Sequence, residues 1–187
     1  MVAREHAQTV EDFERFIERP ENAGRLFEYI GGEIVEVPSN IYASAIAQLV
    51  SFFLQLFIRE HNIAGYVTGE AGGYMVAGER YAPDVAFIHA SKQGELTRKG
   101  YSPNPPDLAV EIISDVSNSV EQEKLRIKIT NYLSVGVLVW VVNPERRLVE
   151  VHQVGQPVRL VSEAGRLDGG EVLPGFTLPV KEIFPKE

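Results

Sequence analysis

The residues best placed to do chemistry are two acids, each inside or at the entry of an apolar run. Asp84 follows Pro83 and leads into Val85-Ala86-Phe87-Ile88, while Glu111 lies between Leu108-Ala109-Val110 and Ile112-Ile113. A carboxylate in a strand-like run is costly to bury unless something cationic pairs with it. Two carboxylates meeting at one end of neighbouring strands would make a site for a divalent metal, which prefers oxygen ligands. A magnesium ion held there would activate water and offset charge on a scissile phosphate. Lys124 and Lys128 follow in a helical pattern, and Lys128 would orient the water or steady the transition state. Asp, Glu, then Lys, on strand, strand and adjacent element, is the layout of a metal-dependent phosphodiesterase. Strand-end acids near solvent and a solvated helix lysine give the same spacing, so both readings stay open at this point.

The elements that must position these residues are legible from periodicity and turn chemistry. Thr9-Val10-Glu11-Asp12 resembles a capping box, with Phe13, Phe16 and Ile17 at helical spacing behind it, and a short helix ends near Pro20. Residues 26–30, Gly31-Gly32 and residues 33–37 read as a two-residue β-hairpin. The run from Ile41 to Ile58 carries Ile46, Leu49, Val50, Phe53, Leu54 and Phe57 on one helical stripe, the pattern of core packing. Residues 65–76 suggest two strands joined by a turn rich in glycine, and Pro83 precedes a strand ending near Ile88. Residues 91–106 read as an exposed loop. Val120 to Leu133 is a second long helix, and residues 137–142 form a continuous apolar strand of the kind buried on both faces. Leu148-Val149-Glu150-Val151-His152 alternates as an edge strand, and short strands and turns follow. The expected class is α/β (α+β): a central mixed sheet flanked by helices, with an N-terminal helix and hairpin.

Composition bounds the partners. At 187 residues the chain suits one domain, 1–187, with a real core. It has no cysteine, which excludes disulfides, thiol nucleophiles and cysteine-based zinc or iron–sulfur sites, and which fits the cytoplasm. Met1 to His6 lacks the apolar core of a signal peptide, and polar residues interrupt the apolar stretches before membrane-spanning length. The expectation is a soluble, cytoplasmic protein with no membrane partner. A net charge of −8 argues against a generic nucleic-acid binder without addressing local patches. Other chemistries find no support. Gly69, Gly72 and Gly73 lack the Gly-Lys-Ser/Thr of a phosphate loop, the four histidines are scattered, and no Gly-x-Ser-x-Gly elbow is present.

Four segments together carry a resemblance. They are residues 27–36, Pro83-Asp84-Val85-Ala86, residues 106–114 and residues 128–144, with Leu173-Pro174-Gly175-Phe176 and Ile183-Phe184 fitting at the end. In order and spacing, across nearly the whole chain, this set resembles the Uma-type restriction endonucleases. The resemblance implies the PD-(D/E)XK nuclease fold, with a divalent cation, Mg²⁺ or Mn²⁺, at the acids. Asp84 matches the PD aspartate and Glu111 the (D/E) position. Ile113 occupies the place of the motif lysine, and Lys128, on the following helix, matches the lysine as this family carries it. Glu28 and Glu70 fall where the family often has acids and rank as second-tier ligands. A histidine frequent at the start of the long helix is absent from Tyr42-Ala43-Ser44. The function implied is a metal-dependent DNA endonuclease, and duplex cleavage would favour a homodimer or a higher homo-oligomer. The alternative is a non-catalytic or regulatory protein on the same fold, in line with the acidic net charge, Ile113 and the absent histidine.

Overall fold

Thr9 opens the first helix as its spacing predicts. Its hydroxyl accepts from the Asp12 N–H while the Asp12 carboxylate accepts from the Thr9 N–H, starting α1 (Val10–Ile17). The computed structural model of the chain describes residues 9–37 and 40–185. The Met1–His6 segment and its signal-peptide reading lie outside the described residues. Gly31 and Gly32 both take positive φ, as a tight hairpin turn demands, between β1 (Phe27–Ile30) and β2 (Glu33–Glu36). Asn40 then caps α2 (Ile41–Glu60) by accepting from the Ala43 N–H at 2.8 Å.

The middle of the chain supplies β3 (Gly65–Gly69), β4 (Tyr74–Val76), β5 (Glu79–Tyr81), β6 (Val85–His89) and β7 (Leu108–Ile112). After α3 (Ser119–Ser134) come β8 (Leu138–Asn143), β9 (Leu148–His152), β10 (Arg159–Ser162), β11 (Arg166–Gly169) and β12 (Leu173–Pro179). Six strands form the central sheet in the order β10-β9-β8-β7-β6-β3. Among the described strands of this sheet only β7 and β8 run parallel, and α3 makes the crossover that a parallel pair needs. A second sheet, β2-β1-β5-β4, extends the hairpin, and β11-β12 form a separate pair.

Helices cover both faces of the central sheet, as the mixed architecture requires. Ile46, Val50 and Leu54 of α2 meet Val85, Phe87, Leu108, Val110, Trp140 and the β11-β12 pair on one side. On the other, Tyr132 of α3 meets Ala86, Ile88, Ala109, Val139 and Val141, with Ile30 and Tyr81 of the second sheet. α1 packs Phe13 against Tyr29 and Tyr101.

Four details differ from expectation. The two strands of residues 65–76 belong to different sheets, so the glycine-rich turn carries the chain from one sheet to the other; β4 pairs instead with β5 through Ala77-Gly78. β9 is not an edge, because β10 pairs along its outer side. Residues 91–106 are tied down rather than wholly exposed. The Ser102 carbonyl accepts from the Met75 N–H at 2.8 Å, and Gln93 and Ser102 are buried. Finally, α2 is long and apolar enough, by length and composition, to cross a membrane, since its interrupting polar residues leave the average apolar; one stripe of it packs on the sheet.

Candidate active site

β6 and β7 are antiparallel with Val85 opposite Val110 and Ala86 opposite Ala109, so one further step sets Asp84 opposite Glu111. Side chains alternate across a strand. Ala86 and Ala109 face α3, and Asp84 and Glu111, each two residues along, face the same way. Pro83 has no N–H to donate to the ladder, and beside it the Asp84 carboxylate accepts from the Ile112 N–H at 2.6 Å. That bond fixes Asp84 beside the strand that carries Glu111.

Lys128 reaches this pair from α3. Its Nζ donates to Glu111 Oε2 at 2.7 Å and to Glu28 Oε1 at 2.8 Å, and the side chain is buried. Glu28, on β1, is held in turn by the Ala82 N–H at 2.6 Å. One helical turn beyond Lys128, the Tyr132 hydroxyl donates to Glu111 Oε1 at 3.0 Å. The Tyr81 ring lies 5.6 Å from Lys128 Nζ and packs edge-on to Tyr132.

The structure thus brings Asp84, Glu111, Lys128 and Glu28 into one constellation. Glu70, in the turn after β3, lines the same cleft, and its charge is felt at Asp84. Lys124 is turned aside, pairing with Glu33 at 2.7 Å and donating to the Ile30 carbonyl at 3.2 Å. Tyr132 and Tyr81 were missed as site residues; the four-residue step from Lys128 is the signal that would have found Tyr132.

Electrostatics show a centre with more negative than positive charge. Burial pushes the Asp84 carboxyl up to about 6, and Glu28 and Glu70 add to the rise against the Ile112 N–H and Lys128. Burial raises Glu111 as well, with Lys128 opposing it and with Glu28 and Asp84 reinforcing it. Lys128 is raised despite its burial because Glu111 and Glu28 both favour its charge. An ammonium within 2.8 Å of two carboxylates stays protonated, so a proton taken up near neutral pH goes to Glu111 or Asp84, the carboxyls that burial raises. One cation among three carboxylates leaves charge that a divalent ion would balance.

The donor set fits such an ion in chemistry, being made of hard carboxylate oxygens. Asp84 Oδ1 and Glu28 Oε2 accept no hydrogen bond among the described residues. Among those residues, too, no three His, Cys, Asp or Glu side chains converge into a ready-made cation cage. Magnesium does not require one, since it is commonly held by one or two carboxylates with waters and substrate phosphate. The acids form part of the lining of a cleft of about 570 Å³ between β1, β2, α2 and α3. Among the described residues its lining holds seven carboxylate side chains and two lysines.

The Uma2 family, described as "Putative restriction endonuclease", matches residues 10–181. The chain belongs to this family. No curated protein matches it. Among solved structures, the crystal structure of a putative nuclease belonging to DUF820 from Anabaena variabilis superposes with a TM-score of 0.78 at 20% identity. The match covers 94% of this chain and 97% of that one, so the two share a fold along nearly their whole lengths. The Uma2 chain therefore has the nuclease fold, a central mixed sheet flanked by helices.

Proposed function

We propose that this Uma2 protein is a metal-dependent DNA endonuclease that hydrolyses phosphodiester bonds. The observation that carries the reading is the pairing of Asp84 with Glu111 on one sheet face with Lys128 pinned between Glu111 and Glu28. Asp84 and Glu111 would hold Mg²⁺ or Mn²⁺, with Glu28 and Glu70 as further oxygen donors. The cation supplies Lewis acidity at the scissile phosphate and lowers the cost of forming hydroxide from water. Lys128 carries its charge at neutral pH and can donate a hydrogen bond to the attacking water or to a phosphoryl oxygen. Glu28 anchors the ammonium, and Tyr132 holds Glu111 in its rotamer.

In this reading residues 1–187 act as one domain in the cytoplasm, and a two-fold homodimer would supply the second cut on a duplex. A solution mass equal to one 20.8 kDa chain at micromolar concentration would remove the dimer from the proposal. The test of activity is purified wild type against Asp84→Ala and Glu111→Ala on duplex DNA, single strands and RNA, with Mg²⁺, Mn²⁺ or chelator. Cleavage that needs the metal and both acids is the expected result.

A second reading rests on the cleft lining, where acids outnumber lysines and Ile113 stands in the usual lysine slot. It takes the protein as a non-catalytic or regulatory member on the same fold. Wild type inert on every substrate and with every metal would favour it.

A further inference from the structure

We infer that the cleft receives a single unpaired nucleotide, with its phosphate at Asp84, Glu111 and Lys128 and its base against an aliphatic wall. This rests on the nuclease reading and names the form of nucleic acid that reaches the site.

The depth of the acids is the first argument. Glu28, Glu111 and Lys128 are each 7% exposed or less, so a phosphate must enter the cleft to reach them. A volume of about 570 Å³ falls in the range of pockets that take a drug-sized molecule. A nucleotide belongs to that size class; a double helix does not.

Charge is the second. A duplex presents a phosphate about every 1.7 Å of axis, and proteins that hold it neutralise several at once with Lys and Arg. Inside this cleft the two lysines are already engaged, Lys124 with Glu33 and Lys128 with Glu28 and Glu111. Carboxylates dominate the rest of the polar lining. A continuous phosphate track pressed against them is repelled. A nucleotide swung out of its stack brings one phosphate to the acids and leaves its neighbours outside.

The wall is the third. Val35 of β2, Ala43 and Ala47 of α2 and Ile112 of β7 line the cleft alongside the acids. Such a surface suits the face of a base. Among the described residues it lacks the aromatic platforms that sequence-tolerant single-strand binders use for stacking. Affinity is accordingly modest and similar for purines and pyrimidines.

The test is fluorescence anisotropy of the full chain in Ca²⁺ with three labelled DNA probes of one sequence: a single strand, an intact duplex and a duplex with a central mismatched bubble. Single strand and bubble should bind ~10-fold or more tighter than the intact duplex, about 1.4 kcal/mol. Ser44→Leu changes an exposed residue of the cleft lining, and adds bulk without charge or aromatic surface. It should erase the preference at an unchanged melting temperature, and Ala43→Leu, at a half-buried position packed on the core, should repeat the loss of preference with some loss of stability. An intact duplex bound as tightly as the single strand, binding of none of the probes, or a preference that survives both substitutions overturns the inference. Wild type that shows the preference but cuts nothing sinks the nuclease reading alone. Asp84-dependent cutting of paired DNA with no binding preference sinks this inference alone.

Discussion

Both faces of the central sheet are packed with apolar side chains, but only one of them also takes in charge, and β7 shows the difference within five residues. Leu108, Val110 and Ile112 point to α2 and meet an apolar core with Leu54, Trp140 and Phe176. Ala109 and Glu111 point to α3, where Glu111 meets Lys128 and Tyr132. One face gains stability from close packing and area removed from water. The other keeps three carboxylates and one ammonium under the same sheet, an arrangement that burial disfavours and only pairing sustains. Buried, partly paired charge of this kind costs stability, and it is the pattern expected of a functional site rather than of a packed core.

The sharpest way to break this contrast is to remove two groups from the charged face and one from the other. Asp84→Ala should lower metal-dependent cleavage by ~10²–10³-fold or more, since a metal ligand supplies several kcal/mol at the transition state. Steady-state cleavage at saturating Mg²⁺ measures it, and an unchanged rate would remove the acids from the chemistry. Lys128→Met should destabilise the protein by about 3–5 kcal/mol at neutral pH, because it leaves Glu28 and Glu111 buried without their cation. The loss should shrink as pH falls and Glu111, whose carboxyl burial raises, takes up a proton. Leu54→Ala, beneath α2, should cost about 2–5 kcal/mol through the cavity it leaves. Its cost should not vary with pH, and the rate per folded molecule should stay at the wild-type value. Denaturant melts over a pH series separate the two faces.

Which parts of this contrast were legible in the sequence follows from where each signal lives. Asp84 and Glu111 could be read because Pro83 marks a strand start and because an acid breaks an apolar run. Both cues are local. Lys128 needed only the helical period to be placed on the neighbouring element. Glu28 carried no such cue: on its own it is an acid in a hairpin strand, and family resemblance alone raised it. Its role emerges only where the Ala82 N–H and Lys128 meet it across 54 and 100 residues of sequence. β5 was invisible for a similar reason. Glu79-Arg80-Tyr81 is short and polar, and distant partners hold it in place, Glu14 on Arg80 and Gly31 and Asn131 on Glu79. The acidic lining of the cleft, too, is a property of assembly, since its acids come from both sheets, the turn after β3 and α3.

The pH response of the metal-free protein sharpens the comparison further. The Asp84 carboxyl lies at about 6 in the folded chain, above its ordinary 3.8. A group raised on folding stabilises the protein below its unfolded value, and that contribution is lost as pH rises through the folded value. Stability without metal should therefore fall between about pH 4 and pH 6, by an amount on the order of 1–3 kcal/mol. Asp84→Asn removes the titration and can still accept from the Ile112 N–H, so its stability curve should be flatter across this range. Added Mg²⁺ should restore stability most where the acid is ionised, because protons and metal compete for it. Urea melts at stepped pH, with and without Mg²⁺, read all three effects. A wild-type curve as flat as that of Asp84→Asn would mean that the acid is not in the environment described.

The smallest expected effect asks whether Glu111 is held by charge alone. Tyr132 donates to Glu111 Oε1, and its phenol is raised well above its ordinary value by burial and by the charge of Glu111. It is therefore a fixed proton donor at any pH the protein survives. Tyr132→Phe keeps the ring that packs on Tyr81 and deletes only the hydroxyl. A hydrogen bond to a charged group contributes about 1.5–3 kcal/mol, and Lys128 remains on the other oxygen, so the stability loss should fall at or below the low end of that range. The informative readout is the pH profile. A donor to the ionised form favours ionisation, so without the phenol Glu111 holds its proton to higher pH. Metal binding followed by calorimetry should shift its midpoint upward in pH, and cleavage near neutral pH should drop ~10-fold, as expected for removal of a group that orients a metal ligand. Excess Mg²⁺ or a higher pH should recover the rate. A profile that coincides with wild type would show that Lys128 alone positions Glu111, and the polar face would then hold its acid by a single ion pair.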